Sequence, residues 1–291
     1  MATIVGGLGS PHAPSIGAAI DRGLTETPDW KPLFDGYQPM RRWLAEKRPD
    51  VLIMIYNDHF TSLFLDNLPT FALSVAPVHR IADEGWGPRP LPPVPGDPDL
   101  AWHLANALVA DEFDLSISHD LPLDHGCLTP LSALWDWSTG WPGRVVPVQI
   151  NVVQFPLPTA RRCFRLGQAI RGAVLSYPVD CKVAIVGTGG LSHQLGGERF
   201  GFINPAWDEE FLDRLEADPE SLAALSHAEL IERGGTEGIE EIMWLCMRGA
   251  LAPEVRRVHR NYYHATLTGY GQLVLEDLAI DAAHPPTTVS S

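Results

Sequence analysis

The chain has 291 residues, 45% of them hydrophobic and 20% charged, the balance of an ordinary globular protein with enough length to bury a full core. Its formal charge of −15 argues against nucleic acid, whose affinity rests on Lys and Arg meeting phosphates. No run of about 18 apolar residues is present to span a bilayer. An anionic substrate would need a local positive or hydrogen-bonding pocket against that field.

In chain order, strands are predicted at Thr3–Val5, Val51–Tyr56, Thr70–Ala76, Leu115–Ser118, Arg144–Ile150, Val183–Val186 and Gln272–Glu276. Helices are predicted at Gln38–Glu46, Asp99–Asp111, Thr159–Leu175, Pro205–Glu216, Ser221–Arg233, Thr236–Gly249 and Pro253–Asn261. Strands alternating with helices predict an α/β fold with helices on both sheet faces. The opening Met1-Ala-Thr-Ile-Val-Gly-Gly lacks the basic head and apolar core of a signal peptide, so a cytoplasmic location is expected. Cys127, Cys163, Cys181 and Cys246 show no CxxC spacing and read as free core thiols. Asp83–Pro98 is too rich in Pro and Gly for regular structure and reads as a functional loop or linker. The tail 282–291 is expected to be disordered, with residues 1–281 forming one domain.

Four histidines fall at the same kind of place. His12 follows the first strand through Gly6-Gly-Leu-Gly-Ser-Pro, and His59 ends the buried run Val51–Tyr56 through Asn57-Asp58. His125 lies in Leu123-Asp-His-Gly-Cys, and His193 follows Val183-Ala-Ile-Val through Gly187-Thr-Gly-Gly-Leu-Ser. Any one of them is more often a hydrogen-bonded structural histidine than a ligand. Four at the ends of different strands converge, because open α/β sheets gather their sites beyond the strands' carboxyl ends. With Thr236 as N-cap, Glu240 falls on the helical stripe of Trp244, Met247 and Leu251, whereas Glu241 points with Glu237 and Arg248 toward the polar side. A carboxylate on an apolar stripe is costly unless it is paired or bound to a cation; the plainer alternative is a buried Glu accepting a backbone amide. Two His and one carboxylate match the facial triad of non-haem Fe(II), with a further His left as acid or base. Zinc accepts the same donors, and a zinc hydrolase stands third among the readings. Gly187-Thr-Gly-Gly lacks dinucleotide spacing, and Cys127 reads as a buried thiol in preference to a nucleophile.

These segments together resemble the LigB-type class III extradiol dioxygenases, most closely the catalytic beta chains of protocatechuate 4,5-dioxygenases. The resemblance is carried by Ser10-Pro-His12 with Gly17-Ala-Ala-Ile20, Tyr56-Asn-Asp-His59, and Ala82-Asp-Glu-Gly-Trp-Gly-Pro-Arg-Pro90. It continues in Asp124-His-Gly126, Gly187-Thr-Gly-Gly-Leu-Ser-His-Gln-Leu195, and Glu237-Gly-Ile-Glu240 with Met243-Trp-Leu245. It implies a three-layer α/β/α sandwich around a central mixed sheet. It further implies Fe(2+) held by His12, His59 and Glu240, with His193 as acid/base and His125 beside it. Asn57 and His125 would line the substrate pocket, and Ala18 would sit near the substrate ring.

The implied reaction is extradiol (meta) cleavage of a catecholic acid such as protocatechuate, with both atoms of O2 entering the product. The partners it implies are a small helical alpha chain over the site, or an oligomer that covers it. The chain departs from the family after His264, where Ala265-Thr-Leu-Thr-Gly-Tyr-Gly271 replaces a longer Ser-Asn-Thr stretch. Thr266 or Thr268 is left to supply a hydroxyl to the substrate. That departure opens gallate, a methylgallate or an aminophenol as alternative substrates, and a binding protein without turnover as a rival from another class.

Overall fold

The computed structural model describes residues 1–279, so the predicted tail 282–291 lies outside the described residues. The strands are β1 (Thr3–Ser10), β2 (Val51–Tyr56), β3 (Phe71–Ser74), β4 (Val78–His79), β5 (Val94–Pro95), β6 (Ser116–Ser118), β7 (Arg144–Ile150), β8 (Lys182–Thr188), β9 (Val255–Ala265) and β10 (Thr268–Asp277). The helices are α1 (Pro14–Asp21), α2 (Lys31–Lys47), α3 (Pro98–Ala110), α4 (His125–Leu134), α5 (Ala160–Ser176), α6 (Pro205–Ala217), α7 (Pro219–Ala223), α8 (His227–Gly234) and α9 (Glu241–Gly249).

Eight strands form one mixed sheet in the order β6-β3-β7-β2-β8-β1-β10-β9. Its centre, β7-β2-β8-β1, is parallel, and β10 and β9 close one side as an antiparallel pair. A central parallel strand is covered on both faces, which is why Val51–Tyr56 is apolar without alternation and wholly buried. Its side chains nonetheless alternate between layers. Val51, Ile53 and Ile55 pack with α3, α5 and α9, while Leu52, Met54 and Tyr56 pack with α2 and α4. That is the three-layer α/β/α sandwich the sequence implied. Among the described residues no helix is long and apolar enough to cross a membrane, and all four cysteines are free and buried.

Several elements differ from the sequence reading. Pro253–Asn261, predicted as a helix, is the start of strand β9, which pairs with β10 across the turn at 266–267. Local charge and helix formers pointed one way; the exposed ladder of β10 and the β-branched and aromatic Val255, Val258, Tyr262 and Tyr263 won. The predicted helix Ser221–Arg233 is two helices, since Ser226 and Glu229 form a capping box that starts α8 afresh. Helices α1 and α4 went unpredicted, because one is short and the other is buried on all sides and so shows no polar face. Each begins within two residues of a site histidine.

Candidate active site and metal centre

The carboxyl ends of β1, β2 and β8 deliver His12, His59 and His193 to one place, as the parallel centre of the sheet dictates. His12, His59 and Glu240 hold their ligand atoms within 4.8 Å of one another, a group able to bind a metal ion. His12 Nε2 lies 3.1 Å from Glu240 Oε1, and His59 Nε2 lies 4.0 Å from the same oxygen. His193 stands outside that trio with its Nε2 3.8 Å from Glu240 Oε2.

Each ring is oriented through its other nitrogen. His12 Nδ1 meets Thr188 Oγ1 at 3.1 Å, and His59 Nδ1–H donates to Asp124 Oδ2 at 2.9 Å. His193 Nδ1–H donates to the Leu191 carbonyl at 2.8 Å. Such bonds fix the tautomer and turn Nε2 toward the ligand, the arrangement expected around metal-binding imidazoles. His125 sits at the first position of α4; its Nδ1–H and its backbone N–H both donate to Glu84. Its ring stacks on His59 with centroids 3.9 Å apart.

Glu240 reaches the cluster by a route the sequence misread. Thr236 makes no capping bond, and Glu237–Glu240 forms a 3₁₀ turn ahead of α9. The turn still aims Glu240 inward, where Gly190 N–H donates to its Oε2 at 2.7 Å. Gly189, at φ +130°, passes so close that a Cβ there would lie 2.8 Å from Glu240 Cβ; a side chain would displace the carboxylate. Glu241 and Arg248 are a correction, since both are buried instead of lining a polar side. Helix α6 covers that face, and Trp207 Nε1–H donates to both Glu241 oxygens at 2.9 and 3.1 Å. Arg248 donates to the carbonyls of Leu215, Ala252, Glu216 and Pro253.

The electrostatics fit a cation. Burial disfavours the Glu240 anion, but the adjacent His12, His193 and His59 outweigh it and hold the carboxyl well below its usual range. Burial likewise opposes Asp124, and His59 overrides it to bring that carboxyl to about 2. Burial pulls His12 down, favouring the neutral ring that a metal needs. For His59 burial pulls the same way but is overcome, chiefly by Asp124, so the ring is raised. Burial, with Asp208 nearby, pushes Glu241 far above an ordinary carboxyl.

Of the other predicted residues, Asn57 is fully buried, with Nδ2 3.0 Å from His59 Nε2 and its Oδ1 unpartnered. Ala18 lines a cavity with His125. Thr268 forms a backbone bridge with His193 and packs beside Gly190. Sequence reasoning gave no role to Asp124, Glu84, Thr188 or Asp208. Asp124 carried a legible signal, as an Asp before an apolar run is a helix N-cap. Glu84 carried none, since it comes from an irregular loop. Asp208, on α6, accepts from the backbone and hydroxyl of Ser192, each at 2.8 Å, and from Tyr262 at 2.7 Å, pinning the turn that holds His193.

The sequence is 53% identical over 197 residues to the gallate dioxygenase of Pseudomonas putida, covering 68% of this chain and 58% of that protein. The chain thus spans little more than half the length of that relative. It is 30% identical over 275 residues to a 2,3-dihydroxyphenylpropionate/2,3-dihydroxicinnamic acid 1,2-dioxygenase of Burkholderia vietnamiensis, covering 77% of this chain and 84% of that one. A solved structure of an uncharacterized Escherichia coli K12 protein, JW3007, superposes with a TM-score of 0.58 at 14% identity, over 94% of this chain and 99% of its own, a likeness of fold. The family model described as the catalytic LigB subunit of aromatic ring-opening dioxygenase matches residues 6–272. Nearly the whole described chain, with every histidine of the cluster, lies inside that match, and the protein therefore belongs to the LigB family of metal-dependent, ring-cleaving extradiol dioxygenases.

Proposed function

We propose that this chain, as a single catalytic domain over residues 1–281, cleaves the ring of a catecholic aromatic acid beside its diol and adds both atoms of O2. The observation that carries the reading is the trio His12, His59 and Glu240 with His193 standing free beside it. Gallate is the leading substrate, given the 53% identity to a gallate dioxygenase, with protocatechuate second.

Two imidazoles and one carboxylate, each secured from behind, suit ferrous iron. Bound there, iron would supply the one-electron chemistry that lets a catecholate react with dioxygen. His193 does the proton work. Its Nδ1–H is engaged by Leu191, so Nε2 carries the lone pair, accepts a substrate hydroxyl proton and later returns it. His125, its Nδ1 engaged by Glu84, presents Nε2 as a second proton donor or acceptor. Asn57, Ala18 and Thr268 line the space around the ring.

The apolar rim supports a covering partner. Phe64, Leu65, Phe155, Leu195 and Phe200 are each more than half exposed, on loops leaving the carboxyl ends of β2, β7 and β8. These loops leave the sheet at the end where the site lies, so a partner covering the site would meet them. We assign it to a small helical subunit, with a second copy of this chain as the alternative.

The test is oxygen uptake by iron-reconstituted protein on gallate and protocatechuate, followed by mass spectrometry of product made under ¹⁸O2. Two labelled atoms per product are expected. One label, or oxygen-independent turnover with zinc, refutes the dioxygenase reading.

A further inference from the structure

We propose that Arg22 selects for a ring bearing a carboxylate, receiving that anion in the cavity bordered by His125; the inference rests on the ring-cleaving reading above. The cavity measures about 440 Å³, room for a substituted benzoate, and its wall includes Ser15, Ala18, Arg22, Trp86, Arg89 and His125. His125 joins it to the metal group, since its ring lies 3.9 Å from that of His59 and 5.8 Å from that of His12.

Charge accounting singles out Arg22. Four charged side chains other than His125 border the cavity: Asp21, Glu84, Arg22 and Arg89. Glu84 is occupied by His125. Arg89 and Asp21 neutralise each other through two bonds of 2.8 Å, and the rest of the Arg89 guanidinium donates to Gly17, Leu128 and Ser132. The backbone N–H of Arg22 donates to Ala18, but its guanidinium has no hydrogen bond or ion pair among the described residues. One unneutralised guanidinium thus faces the cavity in a chain whose net charge of −15 repels anions.

The helix places it suitably. Ser15, Ala18 and Arg22 fall on one stripe of α1 and its end, and Arg22 lies about one turn (~5.4 Å) beyond Ala18. A ring with its diol toward the metal group and its edge along Ala18 projects a para or meta carboxylate away from the metal, toward that arm. Trp86, 75% exposed, offers an indole face at the same opening. Its turn is held by Asp83 Oδ1, which accepts from Gly85 and Gly87 at 2.9 Å each.

The experiment compares gallate with pyrogallol, the same trihydroxylated ring without the carboxylate. Binding to the full iron-loaded chain is measured anaerobically by calorimetry and by tryptophan fluorescence, then kcat/KM by oxygen uptake. Arg22→Gln should weaken gallate binding about tenfold or more, the scale of a charge-assisted bond, while changing pyrogallol binding less than about twofold. Arg22→Lys should recover part of the loss. Equal losses for both rings, or no loss for gallate, overturn the proposal. So does a wild-type protein that cleaves both rings equally well, an outcome that leaves ring cleavage itself standing. Failure of the wild type to bind or cleave either ring removes the underlying reading and this inference with it.

Discussion

Replacing Asp124 with Ala cuts the support behind His59 while leaving in place all three side chains that would hold iron. Asp124 is completely buried and accepts three hydrogen bonds: from His59 N at 2.7 Å, from His59 Nδ1 at 2.9 Å and, as the N-cap of α4, from Gly126 N at 3.0 Å. The substitution leaves the two backbone amides, His59 N and Gly126 N, unpaired. Loss of an N-cap costs about 1 kcal/mol and a stranded buried amide about 1–3 kcal/mol, so stability should fall by about 2–4 kcal/mol. The protonation balance gives a similar scale. Asp124 sits at about 2 against an ordinary value near 4, a difference of about 2–3 kcal/mol. Because the folded-state value is depressed, that stabilisation is present above about pH 4 and is lost as pH falls toward about 2.

The functional consequence follows from the tautomer. With Nδ1 unrestrained, His59 no longer turns Nε2 toward the trio, and Fe(II) affinity should drop about 10–100-fold. Asp124→Asn keeps one acceptor for His59 and should fall between wild type and Ala. Anaerobic Fe(II) titration reads the affinity, and urea unfolding at pH 7 reads the stability. Unchanged iron affinity in a folded Asp124→Ala protein would refute the reasoning that His59 is a ligand oriented from behind.

Glu240→Gln should bind iron far more weakly than wild type, checked by metal content after dialysis; full retention would remove Glu240 from the trio. His193→Phe should keep iron but lose about 10²–10⁴-fold in turnover, read by oxygen uptake beside metal analysis. Iron loss in that variant would mean that base and ligand had been exchanged. Glu241→Gln should keep iron and gain stability relative to wild type as pH rises. The buried Glu241 has a raised folded-state value, so its favourable protonated form is present below the unfolded value, and the wild type loses up to about 1.4 kcal/mol per pH unit above it. Parallel urea midpoints between pH 4 and 8 would instead show that Glu241 binds no proton preferentially in the fold.

Much of the fold is written locally. The run Val51–Tyr56 could only be a strand covered on both sides, and the histidines placed just after such runs had to meet beyond the sheet's carboxyl edge. Glu240 was legible as a carboxylate with no reason to face an apolar stripe unless something charged awaited it. Its neighbour Glu241 was misread because the helix that buries it, α6, is visible only once the chain has folded over α9.

Side-chain type and period determined the sheet, its layers and the identity of the four histidines and one glutamate, since these depend on what each short segment can bury. Tertiary structure decided what stands behind them: Asp124, Glu84 and Thr188 orienting the rings, β9 pairing with the open ladder of β10, and Arg22 left without a counter-ion beside a cavity. Those outcomes rest on contacts between segments far apart in the chain. Hydrogen bonds and ion pairs of that kind are set by proximity in space, which no local pattern encodes.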